Sequence, residues 1–273
     1  PIASYVQGRL ESTINPNLAS PYMYDTVWEA VGEVESMLLK LLRHPYSDIG
    51  GSLVLKSATQ AIAQALQIYL VKYYKNYNFD VESEGLLDIP PEIPNPVIIA
   101  PIQANYSLEK SARLIGIGSR SIYYYRLDDE YNTDYDSLRD AVSMAHADKK
   151  RIFANVTIVG DTERGKVQNV GLIDHCVSSS CKNEGYMPPM IVDAAAQWLN
   201  SIACGNSSQW DFSNPNTKAI VLDPQKIELP YDLSLLLFQD YTDLSFLNIG
   251  EQKSDKINLE ARANFLTSRG GSQ

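Results

Sequence analysis

The chain is poor in cysteine. Three cysteines, Cys176, Cys181 and Cys204, occur in 273 residues, so they cannot all form intramolecular disulfides. The spacing Cys-x4-Cys has no second pair with histidine of the kind that builds a zinc site. We therefore expect free thiols in a reducing compartment and predict no metal site.

Basic residues and long apolar runs are also scarce. The net charge is −10 and the pI is near 4.8, whereas nucleic acids are held mainly by clustered Lys and Arg. The longest apolar runs, 187–192 and 233–238, are far shorter than the roughly 20 residues that span a bilayer. The N-terminus lacks the charged segment and apolar core of a secretory signal. The sequence therefore predicts a cytoplasmic protein that binds neither nucleic acid nor membrane.

What the chain does contain is an alternation of helical periodicity with short apolar runs. This pattern is typical of an α/β domain with a mostly parallel sheet and helices on both faces. Strands are predicted at 97–100, 121–125, 152–158, 190–192, 218–222 and 233–238, and helices at 24–42, 57–74, 108–116, 135–146, 170–181 and 195–203. The proline-rich segment 78–96 is open to three interpretations, namely a lid, a partner contact or a solvated loop.

Lys226 and Asp193 are the most informative pair of residues. Asp193 ends the apolar run 190–192, and Lys226 follows the next predicted strand in Asp223-Pro224-Gln225-Lys226. Pyridoxal phosphate (PLP) needs a lysine that forms a Schiff base and an aspartate that holds the pyridinium nitrogen. Taken alone, the pair is also compatible with a solvated lysine and a helix-capping aspartate.

Three further places follow predicted strands or open helices, where ligands bind in open α/β sheets. Ser57, Ala58 and Thr59 open a long helix whose N–H groups suit a phosphate, although Ser57 is also an ordinary helix cap. Asn105 is placed either over a cofactor ring or at the start of the next helix. Thr162 can reach a ring substituent or a phosphate, although Gly-Asp-x-x-x-Gly is also a common turn.

Six segments in order resemble motifs of the PLP-dependent group II amino-acid decarboxylases. This family has the aspartate-aminotransferase-like fold, fold type I, and includes tyrosine, aspartate and glutamate decarboxylases and the related sphingosine phosphate lyase. The Gly-Gly-Thr-Glu-Ala-Asn, His-x-Ser-x-x-Lys-Ala-Ala and Gly-Thr-Thr-x-x-Gly motifs resemble 57–62, 105–112 and 160–165. Val-Asp-Ala-Ala is unchanged at 192–195, and Asp-Pro-His-Lys and Gly-Ser/Thr-Arg-x-Gly resemble 223–226 and 266–271.

The resemblance implies a role for each matching residue. Lys226 would carry the Schiff base with PLP, and Asp193 would keep the ring nitrogen protonated. The remaining cofactor-binding positions would be Ser57, Ala58, Thr59, Asn105, Thr162, Ala195 and Gln225. The implied reaction is the decarboxylation of an amino acid, which the sequence does not identify.

The chain departs from the family at several positions. Asn105 and Gln225 replace histidines, and Ala196 replaces an aromatic or polar residue. Glutamate decarboxylases have an amide at the stacking position, and Gln225 can donate a hydrogen bond to phosphate as histidine does. The segment 256–260 contains no counterpart of the tyrosine that reprotonates the substrate carbon, so a general acid is missing or comes from elsewhere.

The resemblance also implies an organisation and an alternative function. Residues 1–48 would form a helical segment packed on a partner subunit, giving a homodimer or a heterodimer with a related chain. Residues 49–273 would form the PLP-binding large domain, without the family's small C-terminal domain. The chain would be an active decarboxylase, a carbon–carbon lyase on a phosphorylated amine, or a catalytically degenerate relative that acts as a structural or regulatory subunit.

Overall fold

The computed structural model describes residues 25–47, 51–104, 106–160, 164–227 and 232–247. The helices are α1 (Asp25–Leu41), α2 (Ala58–Lys75), α3 (Val81–Glu84), α4 (Tyr106–Leu114), α5 (Tyr135–Ala147), α6 (Val170–Cys181) and α7 (Trp198–Ala203). The strands are β1 (Gly51–Leu55), β2 (Pro96–Pro101), β3 (Ile122–Tyr125), β4 (Arg151–Ile158), β5 (Met190–Asp193), β6 (Thr217–Leu222) and β7 (Ser234–Phe238). Short 3-10 helices lie at Leu86–Asp88, Ser119–Ser121, Ser207–Gln209, Pro224–Ile227 and Tyr241–Leu247.

The seven strands form one sheet in the order β1-β7-β6-β5-β4-β2-β3. Strands β2 to β6 pair in parallel, whereas β7 is antiparallel to both of its neighbours, β6 and β1. Strand β1 therefore runs in the same direction as β6. The carboxyl ends of all strands except β7 thus lie at one edge of the sheet, and the predicted mostly parallel sheet is confirmed.

Helices cover both faces of this sheet, as the sequence predicts. Alternate residues of β2 divide between two apolar cores, with Ile98 on the side of α2 and α4 and Val97 on the side of α5 and α6. On the first face, Ile62 of α2 belongs to the same core as Ile98; on the second, Leu138 of α5 belongs to the core of Val97. Every residue of β2 is buried, which explains its continuous apolar sequence.

Two differences from the predicted elements have local physical causes. Strand β1 was not predicted, because it is five residues long and its pairing with β7 joins segments far apart in the chain. Helix α7 begins at Trp198 rather than at 195, because the backbone N–H groups of Ala194 and Ala195 donate to Val221 and to the Asp193 carboxylate instead of entering the helix.

The segment 78–96 is more structured than a solvated loop. It contains the short helix α3 and a 3-10 turn, and Phe79 and Ile93 insert into the core beside α2. In the part of the chain that the structure describes, no helix is long and apolar enough to cross a bilayer. All three cysteines are free, as expected.

Helix α1 lies beside the edge strand β1 and leaves an apolar surface exposed. Ser52 of β1 donates a hydrogen bond to Glu35, which fixes the helix against the strand. Val34, Met37 and Leu41 of the same helix are exposed to solvent.

Asp243 connects the last 3-10 segment to α2, and its substitution tests the packing between these two elements. Its carboxylate is 1% exposed and accepts hydrogen bonds from the Tyr69 hydroxyl at 3.0 Å and from Lys72 Nζ at 2.5 Å. We expect Asp243→Ala to lower the free energy of unfolding by about 1–3 kcal/mol, because the buried Tyr69 hydroxyl loses its acceptor. Urea denaturation measures the loss, which should be smaller in a Tyr69→Phe background; equal losses in both backgrounds would contradict this explanation.

Candidate functional site

The sheet topology brings the predicted site segments to one edge. Ser57 follows β1, Ala104 follows β2 and Gly160 follows β4, while Asp193 ends β5 and Lys226 lies just beyond β6. All five strands end at the same edge, so these positions face a common region. Asn105 and Thr162 lie outside the described residues.

Asp193 occupies the centre of this edge. It pairs in register with Ile158 of β4 and Val221 of β6, and its Oδ1 accepts the N–H of Ala195 at 3.1 Å. Burial raises the pKa of Asp193, and the nearby Asp223 carboxylate adds to this, whereas the Ala195 hydrogen bond and the Lys226 ammonium lower it. Asp193 therefore lies where a further positive charge would favour its ionised form.

Lys226 lies in the 3-10 turn after β6, with its side chain 43% exposed. Its Nζ is 3.6 Å from Oδ2 of Asp223, whose side chain is 3% exposed. The Asp223 carboxylate also accepts hydrogen bonds from Gln225 Nε2, at 3.2 Å, and from the Ser234 hydroxyl. The lysine is therefore accessible, and a buried anion holds it at the sheet edge.

Asp223 is a site residue to which the sequence analysis assigned no role. Its only sequence signal is its place immediately after the buried strand β6, in the same motif as Lys226. Ser234, which begins β7, has no sequence signal, because its contact with Asp223 depends on the antiparallel pairing of β6 and β7.

The sequence left open whether the amino end of α2 is a helix cap or an anion site, and the structure has features of both. The Ser57 hydroxyl caps the helix by accepting the N–H of Gln60 at 3.3 Å, and the Gln60 side chain accepts the N–H of Lys56 at 3.1 Å. The N–H groups of Ala58 and Thr59 have no acceptor among the described residues. Free N–H groups at the positive end of a helix dipole are suited to an anion such as phosphate.

Thr59 also joins α2 to α4. Its hydroxyl donates to the Ser107 hydroxyl at 3.1 Å, and the Ser111 hydroxyl donates to the Thr59 carbonyl at 3.0 Å. Ser107 and Ser111 therefore position the first turn of α2. They were not identified from the sequence, because nothing in their spacing indicates a contact with residue 59.

The turn after β4 packs against the segment that follows Asp193. Gly160 and Gly165 have φ values of +70° and +67°, and the Gly160 N–H donates to the Lys166 carbonyl at 3.0 Å. The side chain of Gln197 lies against both glycines, so that a Cβ at residue 160 would overlap its Cβ and Cγ. Only glycine satisfies the positive φ and the close approach together.

Substitution of Gly160 tests this close packing. Gly205 has a similar φ, +74°, but no atom would lie within 4 Å of an added Cβ. We expect Gly205→Ala to lose about 1–2 kcal/mol of unfolding free energy from backbone strain. Gly160→Ala should lose about 1–3 kcal/mol more, the range for overpacking. Thermal denaturation of the two variants gives the comparison, and equal destabilisation would contradict the contact with Gln197.

The remaining predicted cofactor-binding residues have defined places. Ala195 is buried in the core on the α2 side, against which Ala58 also packs. Its N–H orients the Asp193 carboxylate, as described above. Gln225 is partly exposed beside Lys226, with its amide directed to Asp223.

Sequence comparisons find amino-acid decarboxylases. The chain is 24% identical over 249 residues to a probable L-tyrosine/L-aspartate decarboxylase of Methanocorpusculum labreanum, covering 91% of this chain and 58% of that protein. It is 25% identical over 237 residues to glutamate decarboxylase 3 of Arabidopsis thaliana, covering 85% of this chain and 44% of that protein. No protein-family model matches the chain. The chain thus spans less than two thirds of these relatives' length.

Solved structures share the fold. The glutamate decarboxylase domain of the diaminobutyrate-pyruvate transaminase and L-2,4-diaminobutyrate decarboxylase from Vibrio parahaemolyticus matches with a TM-score of 0.74 at 16% identity, over 95% of this chain and 52% of that one. Oryza sativa TDC with PLP and tryptamine matches with a TM-score of 0.67 at 18% identity, over 86% and 49%. The resemblance to this decarboxylase family and its fold, predicted from the motifs, is confirmed.

Proposed function

We propose that this chain, similar to amino-acid decarboxylases over most of its length, provides the PLP-binding large domain of a cytoplasmic amino-acid decarboxylase. The observation that carries the proposal is the placement of Asp193 and Lys226. They lie at the ends of adjacent parallel strands, close enough for the Lys226 ammonium to lower the pKa of Asp193. Both groups that PLP requires thus face one region of the sheet edge.

The residues at this edge fit PLP. Lys226 would bind its carbonyl carbon, Asp193 its ring nitrogen, and the amino end of α2 its phosphate. The free N–H groups of Ala58 and Thr59 support the phosphate assignment. Ser57, Asn105, Thr162, Ala195 and Gln225 complete the proposed contacts. When bound, PLP withdraws the electrons left on the substrate carbon as carbon dioxide departs.

Asp193 and Asp223 would each stabilise a positive charge on a different group at the site. Asp193 would hold a proton on the ring nitrogen, and the resulting positive charge would offset the effect of burial on its carboxylate. Asp223, fixed by Ser234 and Gln225, would hold Lys226 Nζ near its working position whenever the lysine is not covalently engaged. The two aspartates thus act on different atoms, and neither replaces the other.

An assembly of two chains is part of the proposal. The exposed apolar residues Val34, Met37 and Leu41 of α1 support a contact between residues 1–48 and a second copy or a related chain. Light scattering at micromolar concentration tests this assignment. A dimer mass is the expected result, and a monomer mass would contradict a homodimer.

Release of carbon dioxide from a panel of L-amino acids tests the reaction. The full chain is supplied with PLP, and gas release is compared with a reaction that lacks PLP. We expect PLP-dependent release from at least one amino acid, most strongly among tyrosine, aspartate and glutamate, the substrates in the names of the relatives. PLP binding with no release from any amino acid would contradict the decarboxylase assignment and leave a non-catalytic relative.

A further inference from the structure

Three metal-binding side chains meet at the edge of the sheet opposite Lys226. His146 lies in the last turn of α5, Cys181 ends α6, and Glu184 follows α6. One ligand atom from each side chain lies within 4.8 Å of the other two, and His146 Nε2 is 3.3 Å from Glu184 Oε1. Cys181 is 1% exposed, whereas the His146 side chain is 29% exposed. The cluster is therefore anchored in the core and open on one side.

The donor atoms are those of a zinc site with three protein ligands. Zinc binds imidazole nitrogen, thiolate sulfur and carboxylate oxygen at about 2.0–2.3 Å with tetrahedral geometry, which separates neighbouring ligand atoms by about 3.5 Å. The donor atoms of the cluster all lie within 4.8 Å of one another, which is close to this spacing. A nitrogen and a sulfur donor disfavour Mg²⁺ and Ca²⁺, which prefer oxygen ligands.

The surroundings of the cluster point to a ligand that the protein itself does not provide. His146 Nε2 is shielded from solvent and, although it lies 3.3 Å from Glu184 Oε1, it makes no hydrogen bond in the described part of the chain. An unsatisfied buried nitrogen is unfavourable for folding, and coordination to a cation would remove that penalty. The His146 and Cys181 backbones are fixed, because Ala145 and Val177 of the same two helices pack in one apolar core.

The Arg151 guanidinium acts against a cation at this cluster. Its guanidinium contacts Glu184 Oε1, so it competes for the carboxylate. Burial and then the Glu184 carboxylate raise the pKa of Cys181 to about 12, while Arg151 lowers it. The free thiol is therefore protonated, and a bound metal ion must displace this proton.

We propose that His146, Cys181 and Glu184 bind one zinc ion, with water at the fourth position, and that the ion joins the ends of α5 and α6. The site is independent of Lys226 and Asp193, because it lies at the other edge of the sheet. The ion would hold together two helices that pack on the same face of the sheet, and its water position would remain exchangeable. Removal of Arg151 as a competitor, in Arg151→Gln, is expected to tighten metal binding.

Cobalt titration of the full chain tests the site without involving PLP. Metal-free protein is titrated with Co²⁺, and the thiolate-to-cobalt absorption band is recorded before and after addition of Zn²⁺. We expect one equivalent of Co²⁺ to produce the band and Zn²⁺ to abolish it. Cys181→Ser should lose the band, whereas Cys204→Ser, which changes an exposed cysteine outside the cluster, should keep it.

A second variant keeps the test valid if Cys181→Ser destabilises the fold. Glu184→Gln leaves the core thiol in place and should weaken Co²⁺ binding by at least about 10–100-fold, the loss typical of removing even an outer-sphere partner. Zn²⁺ should raise the melting temperature of the wild-type chain more than that of this variant. No band in the wild-type chain, or a band that survives Cys181→Ser and disappears in Cys204→Ser, would overturn the proposal and leave a metal-free ion-pair network.

Discussion

Replacement of Lys226 by alanine is expected to abolish covalent capture of PLP and to lower decarboxylation by about three orders of magnitude or more, the scale on which removal of a covalent catalytic residue acts. The amine must lie beside Asp193, and Lys226 follows the strand adjacent to the one that Asp193 ends. The Lys226 side chain is accessible, and among the described residues its Nζ pairs with Asp223, so its loss leaves the core intact. The absorption spectrum with PLP and the rate of carbon dioxide release measure the two effects.

Lys218 is the matched control for this prediction. It lies on β6, the strand that precedes the turn bearing Lys226, and burial lowers its pKa, which favours the neutral amine. Its Nζ donates to the Pro215 carbonyl and to Gln239 Oε1, at 2.7 and 2.6 Å, at the opposite end of β6. Lys218→Arg keeps the donors and should retain the PLP spectrum. A Lys226→Ala variant with an unchanged spectrum would contradict the assignment of Lys226 as the lysine that binds PLP.

Asp193→Asn is expected to weaken PLP binding while it stabilises the chain without PLP. The charge-assisted contact with the ring nitrogen contributes about 1.5–3 kcal/mol, so its loss should lower affinity by about 10–150-fold. Because burial raises the pKa of Asp193 in the folded state, the folded chain binds this proton more tightly than the unfolded chain. Ionisation of Asp193 therefore destabilises the fold at neutral pH. The neutral amide, which can still accept the Ala195 N–H, removes that penalty.

The pH dependence gives this prediction a second readout. The penalty is absent below the ordinary pKa of an aspartate and is fully present above the raised pKa. The stability advantage of Asp193→Asn should thus appear as pH rises and vanish in acid, as measured by urea denaturation without PLP. Asp129→Asn, in an exposed loop, serves as the control and should change neither stability nor PLP affinity. A less stable Asp193→Asn chain at neutral pH would contradict the electrostatic account.

Elements with complete local signals were predictable from the sequence. Helix α6 has the predicted bounds, because Asn169 caps its start by accepting the N–H of Leu172, and an apolar stripe marks its inner face. Strand β2 is readable because all of its residues are buried. Strand β1 lacks such a signal, since its five residues gain their partner only when β7 is placed beside it.

The sequence could predict those residues of the candidate site that lie at the ends of strands. Asp193 and Lys226 follow adjacent strands, so their proximity follows from sheet order. Asp223 could not be assigned a role from the sequence, because an aspartate after a strand can cap a helix, form a turn or bind a ligand. Its contacts with Ser234 and Lys226 show that it holds the lysine. Ser57 remained ambiguous because the same helix start serves both as a cap and as an anion site.

The cluster of His146, Cys181 and Glu184 could not be predicted from the sequence. His146, Cys181 and Glu184 lie at the ends of two helices and in a loop, and no ligand spacing connects them. The packing of α5 against α6 alone brings the three side chains together. The Cys-x4-Cys spacing pairs Cys181 with Cys176, whereas the structure brings Cys181 beside a histidine of another helix.

Borohydride trapping with peptide mapping tests the central claim most directly. The wild-type chain is incubated with PLP, reduced with borohydride, digested, and examined by mass spectrometry for a pyridoxyl phosphate group on each lysine. The account predicts one modified lysine per chain, Lys226, with Lys218 unmodified. A modification on Lys218, a scatter over exposed lysines, or no modification would contradict a PLP site formed by Asp193 and Lys226.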